Sequence, residues 1–208
     1  GRVSPGHSLL AWSGRIEPIG PMPGLAAGTP VETAAGMRRI EDIGPGDLVR
    51  TSASGFQPVR HAVRRAVPAG GMFAPVLLAA PGLGLGADIL VSPTHRMLID
   101  GGDAEYLFGA DAVLVEARHL LPLAGAPLAE TPATVCYHQI ILDRHQCLSI
   151  AGAWGESQYL GALARRPRMR AGTVLAPFRD AELPLHAHRA NPMLEAYEAV
   201  VLVDAIGA

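Results

Sequence analysis

The sequence predicts an all-β fold with short helical turns, on three observations. Gly 24 and Pro 18 make up about a fifth of the 208 residues, a density that favours short strands and turns over long helices. Apolar and polar residues alternate over short runs, the period of half-buried strands. Residues 28–51 compress strand, turn, strand, turn, strand into 24 positions. The length suits one domain with elaborations, and 49% hydrophobic with 17% charged residues is a globular balance.

The elements follow in order. Residues 1–23, "GRVSPGHSLLAWSGRIEPIGPMP", are punctuated by Pro and Gly and read as a short strand plus a loop, an extension before the main domain. In "GTPVETAAGMRRIEDIGPGDLVRT", Val31 and Thr33 alternate and Ala35-Gly36 signals a turn. Ile40 to Ile43 lead into a second tight turn, "GPGD", where the Asp47 carboxylate is suited to bond backbone N–H groups. Leu48, Val49 and Thr51 resume extended structure, and Glu41 reads as an exposed partner of Arg38 or Arg39. Further short strands are expected in Phe56–Val67, Phe73–Ala80 and Ile89–Val91. Ala104–Phe108 reads as one helical turn, and Val113–Leu121 fits either strand or helix. Thr134–Leu142 and Gln146–Ile150 read as a hairpin with Asp143-Arg144 at its tip. That register puts His138, His145 and Cys147 on one face and sets Cys136 against Ala151, away from Cys147. After Tyr159 the texture changes: "RRPRMR" reads as a solvated face, "HAH" at His186 and His188 as a solvated loop, and "NPMLEAYEAVVLVDAI" mixes helix and strand character.

Composition removes several functions. All 17 basic residues are Arg, so a Schiff-base or general-base Lys is excluded. A net charge of −2 gives no electrostatic case for nucleic acid. Cys136 and Cys147 alone cannot supply a disulfide framework or a four-Cys zinc site. Ala66–Ala87 carries no charge over 22 residues, but three Pro and five Gly would break it as a helix in lipid, so no membrane span is expected. The first residues lack the continuous apolar core of a signal peptide, leaving the compartment open between cytoplasm and secretion without a cleavable signal. Trp12 and Trp154 read as packing residues.

The candidate chemistry centres on "LVSPTHRMLID", Leu90–Asp100, where Ser92, Thr94 and His95 interrupt two strand-like runs. An imidazole there is either a satisfied structural side chain or one arm of a reaction centre. Taken in order, "GT-V-T-G---IEDI-PGDLV-T", "LVSPTHRML" and "YHQIILDRHQCLSIAGAWGES" resemble the Hint domain shared by Hedgehog autoprocessing domains and inteins, over roughly residues 24–160. The resemblance is strongest to bacterial Hint-like sequences with "VEDLRPGDLV"-type openings. It implies a flat, horseshoe-like all-β fold, with residues 161–208 packed on the same domain. It also implies a Cys or Ser that attacks the preceding carbonyl, and a "TxxH" histidine that protonates the leaving nitrogen. Ser92 stands at the Thr position of that motif and His95 at its His; His145 matches the later His, and His138 falls where inteins carry an Asp. Asp143 is a carboxylate near enough in sequence to orient an imidazole.

The departures concern both ends of that reaction. The opening "CFxxGT" reads "GLAAGT", so Gly24 stands at the nucleophile's position. Gly155-Glu156, followed by Ser157, stands where a terminal His-Asn would be, and reads as a helix start or turn. A Hint domain equipped in this way is expected to be a scaffold or binding module for a protein or peptide, not a splicing element. The alternative is an autoproteolytic or hydrolytic enzyme using His95 with His145 and Asp143, with Cys147 as a further nucleophile candidate. No cofactor is implied. A metal held by His95, His138 and His145 is a third option, without the short spacing of zinc motifs.

Overall fold

A computed structural model describes residues 22–128, 130 and 132–207. The extension 1–21, Trp12 included, lies outside them. Among the described residues, fourteen strands form two antiparallel sheets. The six-stranded sheet runs in the order β11 (Gly125–Ala126), β7 (Val76–Leu78), β8 (Ile89–Val91), β1 (Leu25–Ala26), β12 (Thr134–Ile141) and β6 (His61–Pro68). The eight-stranded sheet runs β10 (Ala112–Glu116), β9 (Arg96–Asp100), β14 (Ala153–Glu156), β13 (Cys147–Ile150), β2 (Pro30–Thr33), β4 (Leu48–Thr51) and β5 (Gly55–Pro58), with β3 (Gly36–Arg39) beside β2. The described residues also include four α-helices, α1 (Gly102–Phe108), α2 (Leu121–Ala124), α3 (Pro167–Arg170) and α4 (Ala196–Ile206), and several short 3-10 turns. No helix among the described residues is long and apolar enough to cross a membrane.

The opening block folds as its turn residues require. Gly36 takes φ +100° between β2 and β3, a conformation that favours glycine. In "GPGD" the Asp47 Oδ2 accepts the Gly44 N–H at 2.8 Å, and Asp47 also pairs with Arg38 at 2.8 Å. Arg38 is thus paired with Asp47 and not with Glu41, whose Oε2 accepts the Gly28 N–H at 2.7 Å and whose carboxyl is held low chiefly by that bond, with a smaller contribution from the Arg39 charge. The main core joins Val31, Val49, Met97, Val113, Leu148 and Ile150 with Leu202 of α4.

The expected 134–150 hairpin does not form. Strand β12 pairs with β6 over all eight residues, from Thr134↔Pro68 to Ile141↔His61, and with β1 on its other edge at Leu25↔His138. Both edges are thus occupied, and the chain crosses through 142–146 into the other sheet, where β13 pairs with β14. Asp-Arg lacks the positive-φ residues that close two-residue hairpins, so nothing local held the strands together. His138 and Cys147 consequently lie in different sheets. Cys136 and Cys147 are both free thiols.

The tail resolves its mixed texture by segment. Residues 192–194 lie along β10, with the Leu114 N–H donating to Pro192 O at 2.7 Å and the Leu194 N–H to Leu114 O at 3.0 Å. Helix α4 follows, started by a Glu195 N–H bond to Glu198 Oε2 at 2.7 Å. Two expectations of solvation are corrected. Arg170 is buried, bonded to Ala164 O at 2.8 Å and to Asp180 at 2.7 Å. His186 is buried as well, whereas His188 is exposed.

Candidate functional site

Strand β1 enters the six-stranded sheet between β8 and β12, so the residues just before it run past both motifs singled out in the sequence. The Ser92 Oγ donates to Met22 O at 2.6 Å, and the Ser92 N–H donates to Gly24 O at 2.9 Å. From the other side, the Gln139 Nε2 donates to Pro23 O. Three successive carbonyls are therefore held by two side chains and one backbone amide. Gly24 is closed in: a Cβ on it would lie 2.7 Å from the Tyr137 Cβ. Tyr137 cannot swing aside freely, because its hydroxyl donates to Phe73 O at 2.8 Å and its ring is buried. Burial also pushes its phenol well above the usual tyrosine range.

His95 follows a tight turn in which its own N–H donates to Ser92 O at 3.0 Å. Its ring is fully buried, and Nε2 has no hydrogen-bond partner among the described residues. Burial pushes its pKa down to about 4; the Glu156 charge opposes this and the Arg96 charge adds to it. The ring is accordingly neutral at pH 7. Ser92 Oγ lies 3.2 Å from Thr94 Oγ1, so the whole turn is a hydrogen-bonded unit.

Beyond His95 runs a chain of ionic side chains. Arg118 pairs with Glu116 at 2.6 Å, Glu116 with Arg96 at 2.9 Å, and Arg96 with Glu156 at 3.1 Å. The last oxygen of Glu156 lies 3.6 Å from His145 Nε2. His145 Nδ1 accepts the Ala190 N–H at 2.9 Å, which leaves the proton on Nε2, toward Glu156. Glu156 therefore ends a buried strand, β14, instead of starting a helix or turn. Ser157 is buried beside it, its Oγ accepting the Gln146 N–H at 3.1 Å.

The other candidates are dispersed. His138 faces a small cleft with Glu41 and Arg64, and burial lowers its pKa against the pull of Glu41. Asp143 pairs with Arg60 at 2.7 Å on the exposed surface; the carboxylate at His145 is Glu156. Cys147 is fully buried, its thiol pushed up to about 12 by burial and by the Glu156 charge. No group of three or more His, Cys, Asp or Glu able to hold a metal occurs among the described residues, so His95, His138 and His145 do not form the metal triad considered from sequence.

Gln139, Arg96, Glu116 and Glu156 are the site residues that sequence reasoning passed over or misread. Glu156 carried a signal, since it lies within the third motif block. Arg96 and Glu116 carried none, because charges on neighbouring strands normally read as solvated.

No curated protein sequence matches the chain. Several solved structures do, at low identity. The bacterial intein-like domain from Clostridium thermocellum is 17% identical, covering 66% of this chain and 99% of its own, with a TM-score of 0.43. A splice-inactive variant of the AceL NrdHF class 3 split intein is 16% identical over 65% and 99% of the two chains, TM-score 0.44. The gp41-1 intein is 15% identical over 64% and 98%, TM-score 0.43. The Hint domain family model matches residues 23–162, about two thirds of the sequence. With its paired antiparallel sheets and the ordered motif blocks inside that span, this chain belongs to the Hint domain family.

Proposed function

We propose that this Hint domain is a non-splicing scaffold that grips the polypeptide segment leading into it, a peptide-holding module in cis. The observation that carries this reading is the treatment of Met22–Gly24. Ser92 and Gln139 hold three consecutive carbonyls of the segment, and Gly24 offers no nucleophile. Tyr137 fills the space that a side chain at residue 24 would need. The polar grip of a cleavage site is kept while the attacking group is absent. Its partner class is a protein or peptide continuous with this chain.

One observation favours a second reading. The Gln139 amide donates to Pro23 O, which would polarise that carbonyl toward attack by water at the Pro23–Gly24 bond. His95, neutral and buried, would then manage the proton, with His145 and Glu156 in support in place of Asp143.

Intact mass over days separates the two readings. The full natural gene product and its His95→Ala variant are compared with and without a thiol nucleophile, with metal content measured on the same samples. A mass constant in both proteins is expected. A fragment beginning at Gly24 in the unmutated protein alone would overturn the scaffold reading and make the domain autoproteolytic.

A further inference from the structure

The crossing segment 142–146 borders three clefts, and Arg144 lines all of them. One, of about 440 Å³, lies between Arg144 and His145 on one side and the irregular loop 185–189 on the other. It is lined by no residue that grips Met22–Gly24 and by no carboxylate. The two acids nearest in the ionic pattern are already committed, Asp143 to Arg60 at 2.7 Å and Glu156 to Arg96 at 3.1 Å.

The basic side chains are not committed in this way. Arg144 forms no ion pair or hydrogen bond among the described residues. Arg189 forms none either, and its guanidinium is held 5.0 Å over the Tyr159 ring, a stack that leaves its N–H edges available. The loop between them is pinned. His186 Nδ1 accepts the Leu160 N–H at 3.1 Å and its Nε2 donates to Leu142 O at 3.0 Å. The Ala190 N–H donates to His145 at 2.9 Å. Between these anchors the N–H groups of residues 185–189 have no acceptor among the described residues. Arg144 and Arg189 thus both line this cleft, and among the described residues neither they nor the backbone donors of residues 185–189 have a hydrogen-bonding partner.

We propose that this cleft binds a small polyoxyanion, the bidentate acceptor that an arginine fork matches, bearing phosphate or several carboxylates. A metal cation is disfavoured there, since both His186 nitrogens are already used. A long nucleic-acid backbone is disfavoured by the net charge of −2.

Calorimetric titration at fixed ionic strength tests it, with pyrophosphate and citrate as separate probes on the full chain. Saturable binding of one equivalent is expected, and Arg144→Gln and Arg189→Gln should each weaken it by about tenfold or more. Both arginines are exposed, so unchanged melting temperatures confirm that the variants fold. Arg168→Gln, an exposed arginine outside the cleft, should leave the affinity unaltered. Preference for pyrophosphate or for citrate names the phosphate or the carboxylate class. Absence of saturable heat with both probes, or an equal loss in Arg168→Gln, overturns the proposal.

Discussion

A Cβ placed on Gly155 would stand 2.8 Å from His95 Nε2. The backbone of β14 therefore approaches the motif histidine so closely that no side chain fits at position 155. The buried His95 ring and the tip of Ile150 occupy the space that a side chain there would need. Gly155→Ala must displace that ring and the tip of Ile150, and a loss of about 1–3 kcal/mol is expected in urea unfolding.

The buried, neutral His95 ties stability to pH. Its folded pKa of about 4 lies below the 6.5 of the free ring, so the unfolded chain binds the proton more readily between those values. The stability it contributes is complete above pH 6.5 and is lost as pH falls toward 4, by at most about 3 kcal/mol. Burial lowers His186 and His138 in the same direction, which steepens the total. Urea unfolding at pH 7.5 and pH 5 should show a smaller acid loss in His95→Gln than in the unmutated chain.

Gly24 should tolerate no added carbon. Its Cβ would meet a neighbouring Cβ, part of a side chain anchored at both ends, which cannot yield as a flexible tip would. Gly24→Ala is expected to cost about 1–3 kcal/mol. Gly172→Ala, where a Cβ meets nothing within 4 Å, serves as the neutral control.

Two carboxylates near His145 should differ sharply. Glu156 has a side chain only 4% exposed and pairs with Arg96, whereas the Asp143 side chain is 58% exposed. Glu156→Ala leaves buried positive charge poorly matched and should cost about 3 kcal/mol. Asp143→Ala should stay within about 1 kcal/mol. Chemical denaturation of both variants at pH 7.5 makes the comparison.

Cys147 should behave as an inert thiol. With its pKa pushed up to about 12 in full burial, it presents almost no thiolate at pH 8. Iodoacetamide should modify Cys136 first and reach Cys147 only in denaturant, as read by peptide mass. Modification of Cys147 in the folded protein would restore it as a nucleophile candidate.

Much of the fold was legible because its signals are local. The Ala35-Gly36 turn, the Asp47 bond that closes "GPGD" and the short strands around them are decided by residues within a few positions of one another. The alternation of Thr134–Leu142 was equally legible as a strand, but its partner was not. A period of two states which faces are apolar and is silent on which edge meets which neighbour. The same limit hid Gln139: a polar residue in a buried strand reads as an exception until Pro23 O is found opposite it.

By itself, then, the sequence determined the all-β class, the order of the three motif blocks and the family they mark. It also determined that residue 24 is a glycine, without a side chain. Only the tertiary structure decided which carboxylate serves His145, that His95 is buried against Gly155, and that the carbonyls of Met22–Gly24 are held from both sides. Those facts depend on strands far apart in the chain, β9, β10 and β14 for the ionic chain and β1, β8 and β12 for the grip. A buried charge is tolerated only where opposite charge is delivered to it, and that delivery comes from packing whole sheets, which no local pattern records.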